Sequence, residues 1–215
     1  MIDSQIFIKK LVLMSIGVCL MTILVNSARA DDRVVRNHTI ALDGAVELEI
    51  SNNVGRIDLV QGDGDEVRVI LDIEGQKSGF FRRQVDVDDM DLQIRKRGDT
   101  LFLKFDEKNA SAEWTVEMPV MKRTIIEMGV GEVRLEVGDT DLDVDLGVGD
   151  VEIVAPEDSV GRISISVGVG DASVRGAEIL DRQSAFISQS VRAQGKGNKD
   201  INVDLGVGDA NLRLN

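Results

Sequence analysis

The run Asp145-Leu146-Gly147-Val148-Gly149-Asp150-Val151-Glu152-Ile153 decides how the whole chain is read. Upstream of its second glycine, Leu142, Val144, Leu146 and Val148 are apolar at every second position, with Asp141, Asp143, Asp145 and Gly147 between them. That is the period-two pattern of a strand with one buried face. Beyond Gly149-Asp150 the apolar positions become Val151 and Ile153, so the parity flips from even to odd. A residue inserted at a bulge or sharp corner does this without ending the strand.

The same flip recurs at Glu127–Leu135, Ser166–Val174 and Asp204–Leu212, and in degenerate form at Ser51–Leu59. On this parity Val54, Val130, Val148, Val169 and Val207 belong to the inward apolar file. Gly129, Gly131, Gly147, Gly149, Gly168, Gly170, Gly206 and Gly208 fall on the outward one. The corner glycines at 131, 149, 170 and 208 are spaced 18, 21 and 38 residues apart, the last gap being about two rungs. A strand–corner–strand unit with a period near twenty implies coils stacked in parallel over an aliphatic core. The expected fold is therefore all-β, a parallel β-solenoid or β-helix-like stack of Gly-x-Gly-Asp rungs with a more sheet-like N-terminal half. Glu117-Met118-Pro119 followed by these Gly-x-Gly-[Asp/Glu] rungs resembles the bacterial putative-adhesin domain of unknown function, the toast-rack family. The resemblance runs from about Ala41 to Asn215 and is clearest from Trp114 to Gly176. It implies an extracytoplasmic β-solenoid-like fold without established catalytic residues.

Residues 1–30 read as a secretory signal peptide, with Lys9-Lys10, an apolar core from Leu11 to Val25, and Ala28-Arg29-Ala30 as the cleavage site. The core is too short for a membrane span. Cys19 lies within that core after Val18, a poor context for lipidation. Cleavage after Ala30 leaves residues 31–215 as one domain, periplasmic or secreted, with no stable membrane span. The leader carries Asp3 against Lys9, Lys10 and Arg29, so the net charge of −13 becomes −15 in the remainder. Such a surface disfavours nucleic acid and suits basic partners. With Cys19 gone no disulfide is available, and the core and its ladders must hold the fold.

Along the remainder, Asp31–Leu42 reads as an arm and first strand, and Val85–Lys96, Thr100–Asp106 and Glu113–Pro119 as further strands. Trp114 and the Phe80-Phe81-Arg82-Arg83 patch are expected to fill or cap the core. Gly176–Gly197 departs from the repeat; its 177–194 stretch fits a covering helix or a rung, and Phe186–Val191 keeps the strand–corner rhythm of a rung. The last rung, Ile201–Leu214, would leave an unpaired edge that needs a cover.

Catalysis finds little footing. His38 is the one histidine and reads as an exposed residue of the arm, so nucleophile–base pairs and zinc sites lack parts. Stacking in register brings Glu132, Asp150, Asp171 and Asp209 to one corner, with Arg56 in the N-terminal copy. Backbone turn-capping and a calcium ladder are both compatible with that file; no other cofactor is implied. Asp139, Asp141, Asp143 and Asp145 form a second acidic row. The eight outward glycines would make a side-chain-free strip, set either by corner geometry or by close packing of another backbone or flat polymer. On the second reading, Ser at Gly147 and Gly168 leaves folding intact. The chain is read as an exported, non-enzymatic envelope interaction or scaffold module, with an envelope protein or glycan as partner. A surface adhesin or glycan-binding module is the alternative, and a polysaccharide-active enzyme a more distant one.

Overall fold

A computed structural model describes residues 33–76, 85–185 and 188–215. The leader and the Phe80–Arg83 patch lie outside them. The described strands are β1 (Arg33–Ala41), β2 (Glu47–Gln61), β3 (Glu66–Gly75), β4 (Gln93–Arg97), β5 (Thr100–Phe105), β6 (Ala110–Met118), β7 (Arg123–Glu136), β8 (Asp141–Ala155), β9 (Val160–Val169), β10 (Ala172–Arg175), β11 (Glu178–Ala185), β12 (Ser188–Gln194), β13 (Lys199–Val207) and β14 (Ala210–Leu214). The all-β class holds. Val85–Lys96 is strand only from Gln93, and the expected arm is a strand over Arg33–Ala41, paired antiparallel with β3.

The strands make one hydrogen-bonded sheet folded along a line of corners into two leaves. Strands β2, β7 and β8 pass through the corner unbroken, whereas β13 leads into β14 and β9 into β10. One leaf runs β4-β5-β2-β7-β8-β13-β9-β12-β11, and the other β1-β3-β6-β2-β7-β8-β14-β10. Parallel pairing joins the six central layers; antiparallel strands close one end on both leaves and the other on the first leaf, with β10 the edge of the second. This is the expected stack of rungs, with the sheet-like elements at both ends and not in the N-terminal half alone.

The layers do not follow chain order. The rung of β13 and β14 lies between β8 and the β9–β10 rung, so its edges are paired on both sides. At the other end, β2 lies between β7 and the layer formed by β5 and β6. The expected unpaired C-terminal edge is thus absent. Residues 178–194 form neither helix nor rung but the β11–β12 antiparallel hairpin, which closes the β9 side. Phe186 and Ile187 lie outside the described residues. The 38-residue gap holds this excursion and the return of the chain into the stack.

Both inner faces feed one contiguous core. In β8, Leu142, Val144 and Leu146 are buried on one leaf and Val151, Ile153 and Ala155 on the other. Trp114, 1% exposed, belongs to this core between Leu71 and Ile57. Four residues, Gly147 to Asp150, separate the two buried files. Val148 is 46% exposed, with Val130, Val169 and Val207 at 42–47% and Val54 half-buried. The expected inward placement of these valines is therefore corrected. The corner occupies four residues on the outside of the fold, and the valine at its apex cannot turn inward.

Gly149 has φ +141°, and Gly55, Gly131, Gly208 and Gly170 sit at 134–145°. A Cβ on Gly149 would overlap the carbonyl oxygen of Gly131 in the layer beneath. By contrast Gly98, in the β4–β5 turn, has φ +60° and open space around it. Gly98→Ala should therefore cost only the left-handed backbone penalty, about 1–2 kcal/mol. Gly149→Ala should cost about 4 kcal/mol or more, since backbone must move as well. Urea denaturation of the two variants checks this, and equal losses would contradict it.

Candidate functional site

The corner brings the predicted acidic residues into one file, ordered Glu132, Asp150, Asp209, Asp171 because of the inserted rung. Arg56 stands beside Glu132, as the register predicts, at 2.9 Å, and Arg134 bonds the same carboxylate. The aspartates act on backbone. Asp150 Oδ1 accepts the Asp209 N–H at 3.3 Å, and Asp209 Oδ1 accepts that of Asp171 at 3.0 Å. Asp171 then accepts from the Gln189 amide at 2.6 Å, whose oxygen takes the Ala172 N–H at 3.0 Å. Asp150 and Asp209 thus each cap a backbone donor left over where the next layer's strand breaks at the corner. Among the described residues no three His, Cys, Asp or Glu side chains converge as a metal centre.

The second acidic row is likewise engaged in part. Asp141 accepts the Asp200 N–H at 2.9 Å, and Asp143 receives Arg123 at 2.7 Å and Asn202 at 3.0 Å. Asp145 is exposed, in register between Glu127 and Asp204. Asp139 is exposed in the turn before β8.

The eight glycines form two files flanking the apex valines. Their missing side chains face along the stack, toward the next layer. A Cβ on Gly147 would lie 2.5 Å from Gly129 O, and one on Gly168 2.6 Å from Gly206 O. Serine at Gly147 or Gly168 should therefore disturb folding, as the corner-geometry reading of the strip has it. Corner geometry alone is sufficient reason for glycine there. The strip remains outward-facing, with Gly147 exposed beside Val148.

His38 is not a free arm residue. It lies in β1 opposite Val69, and its Nε2 is 2.8 Å from Asp91 Oδ1, with a fifth of the side chain exposed. An antiparallel partner for the arm could not be read from its own sequence.

On the outer face of the first leaf the structure assembles a group that sequence reasoning missed. Phe102 of β5 lies opposite Arg95 of β4 and beside Glu49 of β2. Lys104 neighbours Ser51, which neighbours Glu127 of β7. Burial, reinforced by the nearby Glu127 charge, pushes the Glu49 carboxyl above its usual range. The signal available was the period-two alternation of Thr100-Leu101-Phe102-Leu103-Lys104, which puts Phe102 on the face opposite Leu101 and Leu103.

These features define a glycine-cornered, two-leaved β stack. Residues 29–175 match the N-terminal domain of toast_rack, DUF2154, and the chain belongs to that family. The match ends before β11, so the inserted rung lies beyond it. No curated protein matches the sequence. A crystal structure described as a "putative cell adhesion protein" of Clostridium sporogenes ATCC 15579 is similar at 14% identity and TM-score 0.51, covering 85% of this chain and 100% of that one. A "putative adhesin" of Bacteroides fragilis NCTC 9343 aligns at 11% identity and TM-score 0.30, over 86% and 98%. A "putative lipid binding protein" of Parabacteroides distasonis ATCC 8503 aligns at 11% and TM-score 0.33, over 85% and 94%. The first supports the fold. No helix among the described residues is long and apolar enough to cross a membrane.

A raised carboxyl pKa in the folded state means that ionising Glu49 opposes folding, so its cost is absent at low pH and appears as pH rises through the usual glutamate range. Glu49→Gln should accordingly raise the melting temperature at pH 7 and leave it nearly unchanged at pH 3.5. Thermal melts at the two pH values test this; the same shift at both would contradict it.

Proposed function

We propose that the chain is an exported, non-enzymatic interaction or scaffold module of the cell envelope, and that the folded edge of its sheet is the contact face. The observation that carries this reading is the row of apex valines. In stack order Val54, Val130, Val148, Val207 and Val169 succeed one another at strand spacing, about 4.8 Å, with four of them 42–47% exposed. All five layers put an aliphatic side chain where solvent would accept a polar one. Glycine on either side of Val130, Val148, Val207 and Val169 leaves that part of the row standing clear of its surroundings. Glu127, Asp145 and Asp204 flank it on one leaf, and Glu132, Asp150, Asp209 and Asp171 on the other.

An exposed straight apolar row with acidic margins suits a protein surface having an apolar centre and a Lys/Arg rim. Export follows from the reading of residues 1–30 as a signal peptide, cleaved after Ala30. The absence of an enzyme role is supported by His38 being engaged by Asp91, and by Glu49 and Glu127 standing side by side on one face, not across a cleft. Calcium has no part in this reading. A surface adhesin, the role in the Clostridium protein's description, is the second reading; the Phe102 groove favours it.

The test is recovery of crosslinked envelope partners by the tagged full-length chain, beside a Val130→Thr/Val148→Thr/Val207→Thr variant. Threonine nearly matches valine in shape, and exposed substitutions of this kind change stability by about 0.5 kcal/mol or less each. One reproducible protein partner is expected, its recovery falling at least tenfold in the variant and weakening with salt. Undiminished recovery by the variant, or no protein above background, would contradict the proposal.

A further inference from the structure

The Phe102 group reverses the charge of the protein around it. In a chain of net charge −13, Arg95, Lys96, Arg97 and Lys104 gather on two neighbouring strands. All five residues of β4 are exposed. Lys96 donates to the Leu42 and Asp43 carbonyls, and Lys104 pairs with Asp106 at 2.8 Å. Arg95 and Arg97 have no hydrogen-bonded or ion-paired partner among the described residues. A groove of about 520 Å³ runs over this face, with Arg95, Arg97 and Lys104 on one side, Glu49 and Glu127 on the other, and Phe102 contributing to its wall. That volume is in the range of small-molecule sites.

Basic residues on an edge strand guard against edge-to-edge pairing. That purpose accounts for charge on β4. It does not account for an aromatic ring on the outer face of β5, where the other described aromatic side chains, Phe105 and Trp114, are fully buried. Nor does it account for two carboxylates on the opposite side of the groove. The three components together constrain the ligand. A small inorganic anion has no use for the ring and is repelled by Glu49 and Glu127. A neutral sugar stacks on a ring but leaves two guanidinium groups unmatched. A nucleic acid strand brings dense negative charge against the acidic side and the rest of the surface.

We propose that this groove binds a carboxylated sugar, a uronic-acid unit of a polysaccharide, with its apolar ring face on Phe102, its carboxylate on Arg95 and Arg97, and its hydroxyls on Glu49 and Glu127. A guanidinium fork matches a carboxylate in a bidentate fashion. Aromatic side chains offer an apolar face of the required extent. The Glu49 and Glu127 carboxylates accept hydrogen bonds from sugar hydroxyls. The proposal uses none of the apex valines and stands independently of the interaction face described above.

The experiment is titration of the ¹⁵N-labelled protein, expressed with its own leader, with oligogalacturonate, an uncharged dextran oligosaccharide, and citrate. Oligogalacturonate should bind with chemical-shift changes confined to β4, β5 and the neighbouring part of β2, and the other two should bind at least tenfold more weakly. Arg95→Gln/Arg97→Gln and Phe102→Thr should each weaken oligogalacturonate binding at least tenfold. The valine variant should bind it as the wild type does, separating this site from the envelope contact. Equal binding of citrate, equal affinity of Phe102→Thr when folded, shifts elsewhere on the surface, or no binding at millimolar oligogalacturonate would each overturn the proposal. Should a variant fail to fold, the wild-type shift map and the ligand ranking still decide.

Discussion

The close approach of backbone to backbone at the corner governs this fold. Two glycine files run through the stack, and each missing side chain leaves room for a carbonyl oxygen of the layer beneath. Within the corner, positive φ turns the chain from one leaf to the other without breaking hydrogen bonds between layers. Any Cβ there would push adjacent layers apart along their shared ladder. Layer spacing, register and corner position are consequently set together.

Much of the surface follows from that constraint. Four residues are needed to turn the chain, so the valine between two glycines is carried outside. The acidic residue after the second glycine stands where backbone donors are left over, and in the Asp150–Asp209–Asp171 series it caps them across layers. Repetition then converts single side chains into rows. A single exposed valine becomes a linear apolar row when stacked five deep, and on that row the proposed contact rests.

The strand–corner–strand unit and the acidic file were legible in the sequence because period-two alternation and glycine spacing are local properties. The side of the apex valine was not: alternation gives parity only while the backbone stays regular, and the corner begins between Leu146 and Val148. Layer order was hidden for a different reason. Ile201–Leu205 presents the same pattern as Leu142–Leu146 and Ile163–Val167, so its sequence matches either neighbour and does not reveal that it lies between them. The hairpin at residues 178–194 could be read as a rung because alternation is shared by parallel and antiparallel strands. Phe102 stands among alternating residues with no local mark, since its significance depends on Arg95 and Glu49 arriving from two other strands.

Insertion of the final rung gives the stack a property a sequential solenoid lacks. The rung of β13 and β14, last in chain order among those described, is internal, paired with β8 and β9 on one leaf and with β8 and β10 on the other. Native-state hydrogen exchange measures this directly, because opening free energies distinguish fraying edges from internal strands. The amides of β13 and β14 should open with the same free energy as those of β8, above those of the edge strands β4 and β11. Exchange of β13 and β14 at lower free energy than β11, as in a stack that peels from its last coil, would contradict the account.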